Sequence, residues 1–313
     1  MEYVIGVDLG GTQLRAVLAD ELGRIQTQVR VPTEAQHGPA SVIDRIVACI
    51  TQVRAALPSG ATLCGVGVGS PGPLDPYAGI VFTTPNMPGW DHVPLRDLLI
   101  ERTGLSVVLG NDANLAALGE WRFGGGQGYQ HLVYLTISTG IGGGVISDGR
   151  LLLGRMGAAG ELGHMILDAE NRTSWEDMAS GTALAAYAAQ AMPAAPESLL
   201  HEFATPSTVS AAHVGRAAAN GDALAQALMQ REAELLGLGL VSTLHLFSPE
   251  IILIGGSVVT QNSYLLEGAR RVVQERALAD VYRQIPIQVA ALGDQVGVLG
   301  AVALVLYQRD ARQ

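Results

Sequence analysis

One unit occurs twice in this chain, and it constrains the fold more than any other feature. The first copy is Tyr3-Val-Ile-Gly-Val-Asp8, then Leu9-Gly10-Gly11-Thr12, then Gln13-Leu-Arg-Ala-Val-Leu18. The second is His131-Leu-Val-Tyr-Leu-Thr-Ile-Ser138, then Thr139-Gly140-Ile-Gly142-Gly143-Gly144, then Val145-Ile-Ser147 and an Asp148-Gly149 turn. A β-branched run, a glycine-rich break and a second apolar run predict strand, tight turn, strand. The copies lie about half a chain apart, so this is a duplicated supersecondary unit, not a short-period solenoid. Backbone amides can approach phosphate oxygens only where side chains are absent, and glycine also admits positive φ. One such turn reads equally well as a plain hairpin. Two matching turns can close on a single polyphosphate.

Between and beyond the copies, strands and helices alternate. A helix-like stretch covers Pro39 to Leu57 and a strand Leu63 to Gly69. A Pro-rich loop runs from Ser70 to Trp90, a helix covers Pro94 to Thr103, and a short strand covers Ser106 to Leu109. The strand ends at Gly110-Asn111-Asp112, with a helix from about Leu115. Further on come an Ala-rich helix (Thr182 to Ala191), a largely helical region (208–247) and a strand (Ile251 to Ile254). A helix (Tyr264 to Arg276), a strand (Ile287 to Ala291) and a closing apolar helix complete the chain. This alternation implies an α/β architecture. At roughly 100–200 residues per domain, the 313 residues suggest two domains.

Composition removes whole chemistries. All 19 basic residues are Arg. Without Lys there is no P-loop, no protein-kinase strand lysine and no Schiff base. Cys49 and Cys64 alone cannot build a four-thiolate zinc site, an iron–sulfur cluster or a disulfide framework. A formal charge of −10 and scattered Arg residues argue against nucleic acid. No basic n-region precedes the first strand, and no apolar run reaches the ~18–20 residues of a membrane span. The expected location is the cytoplasm, with no membrane partner.

Several residues are candidates for chemistry, each with a plainer role beside it. Asp8 ends a strand, where a carboxylate can meet a phosphate-bound cation or merely satisfy local amides. Asn111 and Asp112 at a strand-to-helix junction suit helix capping. They also suit proton acceptance from an alcohol in phosphoryl transfer. Glu161 and His164 are good partners for sugar hydroxyls, or form a structural ion pair. Glu176 and Asp177 form an acidic pair with a solvated face as the plainer role. Asn86 is by default a turn residue. Gly255-Gly256-Ser257, at a strand end, is a nucleotide contact or a simple strand–helix turn. Gly67-Val-Gly69-Ser-Pro-Gly72 matches a dinucleotide fingerprint, but Pro71 and Pro73 preclude the helix that must open there.

Taken together in chain order, these segments resemble the ROK family of sugar kinases and sugar-responsive repressors, most of all its bacterial glucokinase branch. Asp8-Leu-Gly-Gly-Thr12 is similar to the family's first phosphate loop, and Ser138-Thr-Gly-Ile-Gly-Gly-Gly144 to its second. Pro85-Asn86-Met-Pro-Gly-Trp90 resembles the sugar-loop signature, and Leu109-Gly-Asn-Asp112-Ala-Asn114 the segment with the catalytic Asp. Gly160-Glu-Leu-Gly-His-Met165 and Glu176-Asp-Met-Ala-Ser-Gly-Thr-Ala-Leu184 resemble the sugar-binding stretch, and Ile254-Gly-Gly-Ser257 the adenosine motif.

The resemblance implies an actin-like ATPase (ribonuclease H-like) fold, with two α/β lobes around a central cleft. The expected division is a smaller lobe, residues 1–112 joined by the helix 296–313, and a larger lobe, 113–295. It implies ATP and Mg2+, and phosphorylation of a hexose 6-hydroxyl, glucose first. Asp112 is then the general base. Asn86, Asn111, Glu161, His164 and Glu176 bind the sugar with it. Gly10, Gly11, Thr12, Thr139, Gly140, Gly142, Gly143, Gly255, Gly256 and Ser257 face ATP, and Asp8 holds Mg2+ through water. A homodimer or homotetramer is expected.

Family members usually carry a Cys-x-Cys-x-x-x-x-Cys zinc loop between this His and this Glu. Here Asn171-Arg-Thr-Ser-Trp175 stands there with no Cys, so no structural zinc is expected and His164 needs another support. The alternatives are a kinase for mannose, fructose, allose or N-acetylmannosamine, and a non-catalytic sugar-binding protein. A repressor is disfavoured by the acidic chain and by only seven residues before Asp8.

Overall fold

The structure is a computed structural model and describes residues 1–84 and 87–311. It divides into two compact units. The first comprises Met1–Gln130, Gly144–Gly160 and Ala291–Gln313; the second His131–Gly143 and Glu161–Ala290. The family resemblance draws its line at residue 112, whereas residues 113–130 and 144–160 pack here with the first unit.

In the first unit, β1 (Glu2–Leu9), β2 (Gln13–Asp20), β3 (Ile25–Pro32), β4 (Thr62–Ser70) and β5 (Val107–Asn111) form one sheet in the order β3-β2-β1-β4-β5. β1–β2 and β2–β3 are antiparallel; β1–β4 and β4–β5 are parallel. β1 is apolar at almost every position because both faces are covered. Ile5, Val7 and Leu9 share a core with Val42, Ile46, Ile50 and Val53 of α1 (Gly38–Arg54). Val4 joins Val298, Val302 and Leu306 of the C-terminal helix, Val296–Asp310. Truncating a residue such as Ile46, with no exposed surface, costs roughly 2–5 kcal/mol.

β3 escapes the sequence reading. Its burial alternates strictly, as befits an edge strand with one solvated face, and Gln26, Gln28 and Arg30 mask the apolar half. The Pro-rich loop also holds structure that was not expected. Leu74–Asp75, Ile80–Thr83 and Asp91–Val93 form a small antiparallel sheet ahead of α2 (Leu95–Thr103). Gly67 of the dinucleotide-like pattern has a packing role. A Cβ there would lie 1.9 Å from the Ala301 carbonyl oxygen, so β4 lies directly against the C-terminal helix.

α3 (Asp112–Phe123) starts three residues earlier than Leu115, because Asn111 caps it. Near its end Glu120 is fully buried. Its carboxylate accepts the backbone N–H groups of Gly125 at 2.9 Å, Ala291 at 3.1 Å and Leu292 at 2.7 Å.

In the second unit, β6 (Leu132–Ile137) runs parallel to β8 (Ile251–Gly255), which runs parallel to β9 (Ile287–Val289). β7 (Ile141–Ser147) begins on the other side of β6. Ile251 to Ile254 are all buried, as a central parallel strand requires. Its α-helices longer than one turn are α4 (Trp175–Ala179), α5 (Gly181–Ala191), α6 (Ala211–Ala219), α7 (Ala223–Phe247) and α8 (Ser263–Arg276). Among the described residues, no helix is long and apolar enough to cross a membrane.

Candidate functional site

The candidate residues fall into two sets, one in each unit. In the first unit, Asp8 stands at the end of β1, directly across the ladder from Arg15. The guanidinium donates to Asp8 Oδ2 twice, from Nη2 at 2.6 Å and from Nε at 3.1 Å. Its third nitrogen donates to the Asp294 carbonyl, just ahead of the C-terminal helix. The two nitrogens of the fork thus hold one carboxylate oxygen from two sides, which the single nitrogen of Lys could not do.

The turn that follows is held by its carbonyls. The Gly10 N–H donates to the Gln13 carbonyl at 2.9 Å. Buried Thr33 donates its hydroxyl to the Gly10 carbonyl at 2.6 Å and its N–H to the Thr12 carbonyl at 2.9 Å. Gly11 is half-buried and Thr12 exposed.

Asn111 carries the capping role that was weighed for it. Its Oδ1 accepts the N–H of Ala113 at 3.0 Å and of Asn114 at 3.3 Å. Its Nδ2 faces Gly72, lying 3.0 Å from where a Cβ would stand. Asp112 is the exposed first residue of α3, and its Oδ1 accepts the Ala113 N–H at 2.8 Å. That position places a carboxylate at the positive end of a helix. Asn86 lies outside the described residues.

In the second unit the glycine turn is shorter than its sequence suggests. β7 begins at Ile141, so Gly142 and Gly143 are strand residues and only 138–140 turn. The turn is gripped from two sides. The Gly181 N–H donates to the Ser138 carbonyl at 2.7 Å. Thr182 donates its hydroxyl at 2.8 Å and its N–H at 3.3 Å to the Thr139 carbonyl. Opposite, Glu176 Oε2 accepts the Ile141 N–H at 2.6 Å. Gly140 is required there, since a Cβ would lie 2.3 Å from that oxygen. Ser257 Oγ lies 3.4 Å from Ser138 Oγ, which brings the third glycine motif, at the end of β8, to the same turn.

Glu161 and His164 are exposed; Glu161 precedes a single 3-10 turn, Leu162–His164, and His164 ends it, so the pair does not share a helix. The His164 N–H donates to the Glu161 carbonyl at 3.1 Å. Gly163 packs against Ile141, whose carbonyl oxygen would lie 2.1 Å from a Cβ. The segment after His164 is a short hairpin, Ile166–Asp168 against Thr173–Ser174. Asp168 shapes its tip, accepting from the backbone of Glu170 and Asn171 and from the Asn171 amide. The hairpin runs into α4 through a reciprocal capping pair, Ser174 and Asp177. The Ser174 hydroxyl holds the Asp177 carboxyl below its ordinary value, its backbone N–H adds to this, and the His164 ring acts in the same direction.

Arg15, Thr33 and Thr182 are missing from the sequence-derived list. Arg15 had a signal, as the only cation in the first strand–turn–strand copy. Thr182 stands inside the stretch Glu176 to Leu184 that resembles the family's sugar-binding motif, whereas Thr33 had no signal; neither clamp could be read, because each acts on a backbone carbonyl far away in sequence.

Among the described residues, no three His, Cys, Asp or Glu side chains gather as a metal cage. The donor chemistry at Asp8 still fits Mg2+, which keeps most of its waters and needs one or two carboxylates. One Asp8 oxygen is taken by Arg15, and the other is available to a hydrated cation.

Comparison with known proteins extends this picture. Residues 4–308 match the model of the ROK family. A glucokinase of Thermotoga maritima is 36% identical over 310 residues, covering 96% of both chains. Among solved structures, a ROK hexokinase from Thermus thermophilus superposes with a TM-score of 0.82 at 35% identity, covering 99% of this chain and all of that one. A ROK family glucokinase from Streptomyces griseus, in complex with glucose and AMPPNP, gives 0.81 at 34% identity, with 96% and 98% covered.

Proposed function

Because the chain belongs to the ROK family and is a sugar kinase of actin-like ATPase fold, we propose that it transfers the γ-phosphoryl group of ATP to the 6-hydroxyl of glucose. The observation that carries this is Asp112, an exposed carboxylate at the head of α3, beside an Asn111 already fixed as the cap.

In this reading the sugar 6-oxygen attacks the γ-phosphorus and its proton passes to an Asp112 carboxylate oxygen. The bond from the γ-phosphorus to its bridging oxygen breaks, and ADP leaves. A positioned base of this kind supplies roughly 10²–10⁴ in rate. Asn111 Nδ2, Glu161, His164 and Glu176 orient the sugar hydroxyls. The amides of the two glycine turns stabilise charge on the phosphate oxygens, as preorganised donors do. Asp8 holds Mg2+ through its waters, and the ion when bound offsets phosphate charge.

A coupled-ADP assay over a panel of hexoses tests the proposal, with polyphosphate and ADP run as alternative donors. Glucose and ATP are expected to give the highest kcat/KM. Turnover confined to another epimer would replace the substrate. Sugar binding without turnover on any donor would make the chain a non-catalytic binder. Light scattering tests the expected dimer or tetramer, and fractionation the expected cytoplasmic location.

A further inference from the structure

Thr33 and Thr182 lie in different units, on different kinds of element. Thr33 follows an edge strand and is buried, and Thr182 is the exposed second residue of a helix. Their sequence surroundings, Pro32-Thr33-Glu34 and Gly181-Thr182-Ala183, have nothing in common. Each nevertheless makes the same double gesture. Each directs its hydroxyl and its own backbone N–H to carbonyl oxygens of a glycine turn. In the first turn these are Gly10 and Thr12; in the second both bonds converge on Thr139.

The chemistry of such a clamp is one-sided. A peptide plane carries its carbonyl and its neighbour's N–H on opposite edges, so pinning the carbonyl orients the amide edge away from the clamp. Consecutive amides directed outward form a concavity suited to an anion, while a carbonyl swung into it would repel phosphate. Glycine turns are otherwise free to flip, since glycine accepts either sign of φ. A turn rich in glycine therefore gains approach to phosphate and loses definition, and the threonine hydroxyl restores the definition.

We propose that Thr33 and Thr182 are positioning residues that set the amide edge of the two phosphate turns, and so fix affinity for the polyphosphate part of the nucleotide. This rests on the kinase reading above. Neither residue needs to touch the nucleotide.

The test uses Thr33→Val and Thr182→Val, which remove the hydroxyl at nearly constant shape, with Thr33→Ser and Thr182→Ser as rescues. Calorimetry with a non-hydrolysable ATP analogue reads nucleotide affinity apart from turnover, and thermal midpoints report folding. A single lost hydrogen bond of about 0.5–1.5 kcal/mol corresponds to about three- to tenfold weaker binding. That loss is expected for each Val variant, with a matching rise in KM for ATP, a thermal midpoint near wild type and recovery in the Ser variants. Nucleotide affinity unchanged in Thr182→Val would overturn the proposal, because that exposed site tolerates the change without unfolding. Affinity that Ser fails to restore would reduce the clamp to packing. A wild-type chain that binds no ATP analogue would instead remove the kinase reading.

Discussion

The carboxylate of Glu176 accepts the backbone N–H of Ile141 at 2.6 Å, so a residue proposed to bind the sugar also braces the second glycine turn, proposed for phosphate. Hydrogen bonds to charged groups contribute roughly 1.5–3 kcal/mol, and loss of one is worth about tenfold to a hundredfold in affinity. Glu176→Ala is therefore expected to raise KM for both sugar and ATP, each by about tenfold or more. A rise for the sugar alone in two-substrate kinetics would separate the two roles. Gly140→Ala, whose Cβ would lie 2.3 Å from the same carboxylate, is expected to displace it and likewise to raise KM for both substrates.

Asp112→Asn keeps shape and helix-start compatibility while removing the proton acceptor. The expected loss is roughly 10²–10⁴ in kcat, with sugar KM and thermal midpoint close to wild type. Turnover near the wild-type rate would show that proton removal does not depend on this carboxylate.

Glu232 is fully buried in α7, with neither carboxylate oxygen hydrogen-bonded. Burial pushes its pKa from 4.5 up to about 8, against a smaller opposing effect from Arg231. Between those values the unfolded chain has lost the proton that the folded chain keeps. Stability is then greatest at and below about pH 4.5, so far as this group is concerned, and falls as pH rises towards 8. At about 1.4 kcal/mol per pH unit, the loss by pH 7 is roughly 3 kcal/mol. Glu232→Gln imitates the protonated acid. Its thermal midpoint is expected to exceed wild type at pH 7–8 and to match it near pH 5. Parallel curves for the two proteins across that range would contradict the assignment.

Arg15 and Asp8 are only 21% and 16% exposed, whereas the partners of the Arg283–Asp280 pair are 34% and 79% exposed. Sheltered, forked pairs lose more when one partner is removed than solvated ones do. Arg15→Met is expected to cost roughly 2–3 kcal/mol, a fall of several degrees in thermal midpoint. Arg283→Met should cost about 0–1 kcal/mol. Equal shifts in calorimetry would mean that the fork at Asp8 adds nothing beyond an ordinary surface contact.

What could be seen in the sequence divides along physical lines. Long apolar runs flanked by glycine gave β1, β4 and β8, since strands covered on both faces need no polar alternation. β3 was hidden because a half-solvated edge strand looks polar when averaged. Glycines were read as turn residues, yet Gly142 and Gly143 sit in β7, where the lack of side chains was misleading. Asn111 and Asp112 stood out because Gly-Asn-Asp punctuates a strand-to-helix junction. Thr33, Thr182 and the Glu176–Ile141 bond could not be seen, because one partner in each is backbone and backbone has no letter.

Glu120 draws residues 125, 291 and 292 to a single carboxylate. Most of the chain between them builds the second unit. The chain leaves for the second unit twice, over residues 131–143 and 161–290, and the Glu120 side chain ties residue 125, just before the first departure, to residues 291 and 292, just after the last return; closing so long a loop in the unfolded chain is entropically costly. A buried acid is thus the buckle that keeps two distant stretches of the first unit together.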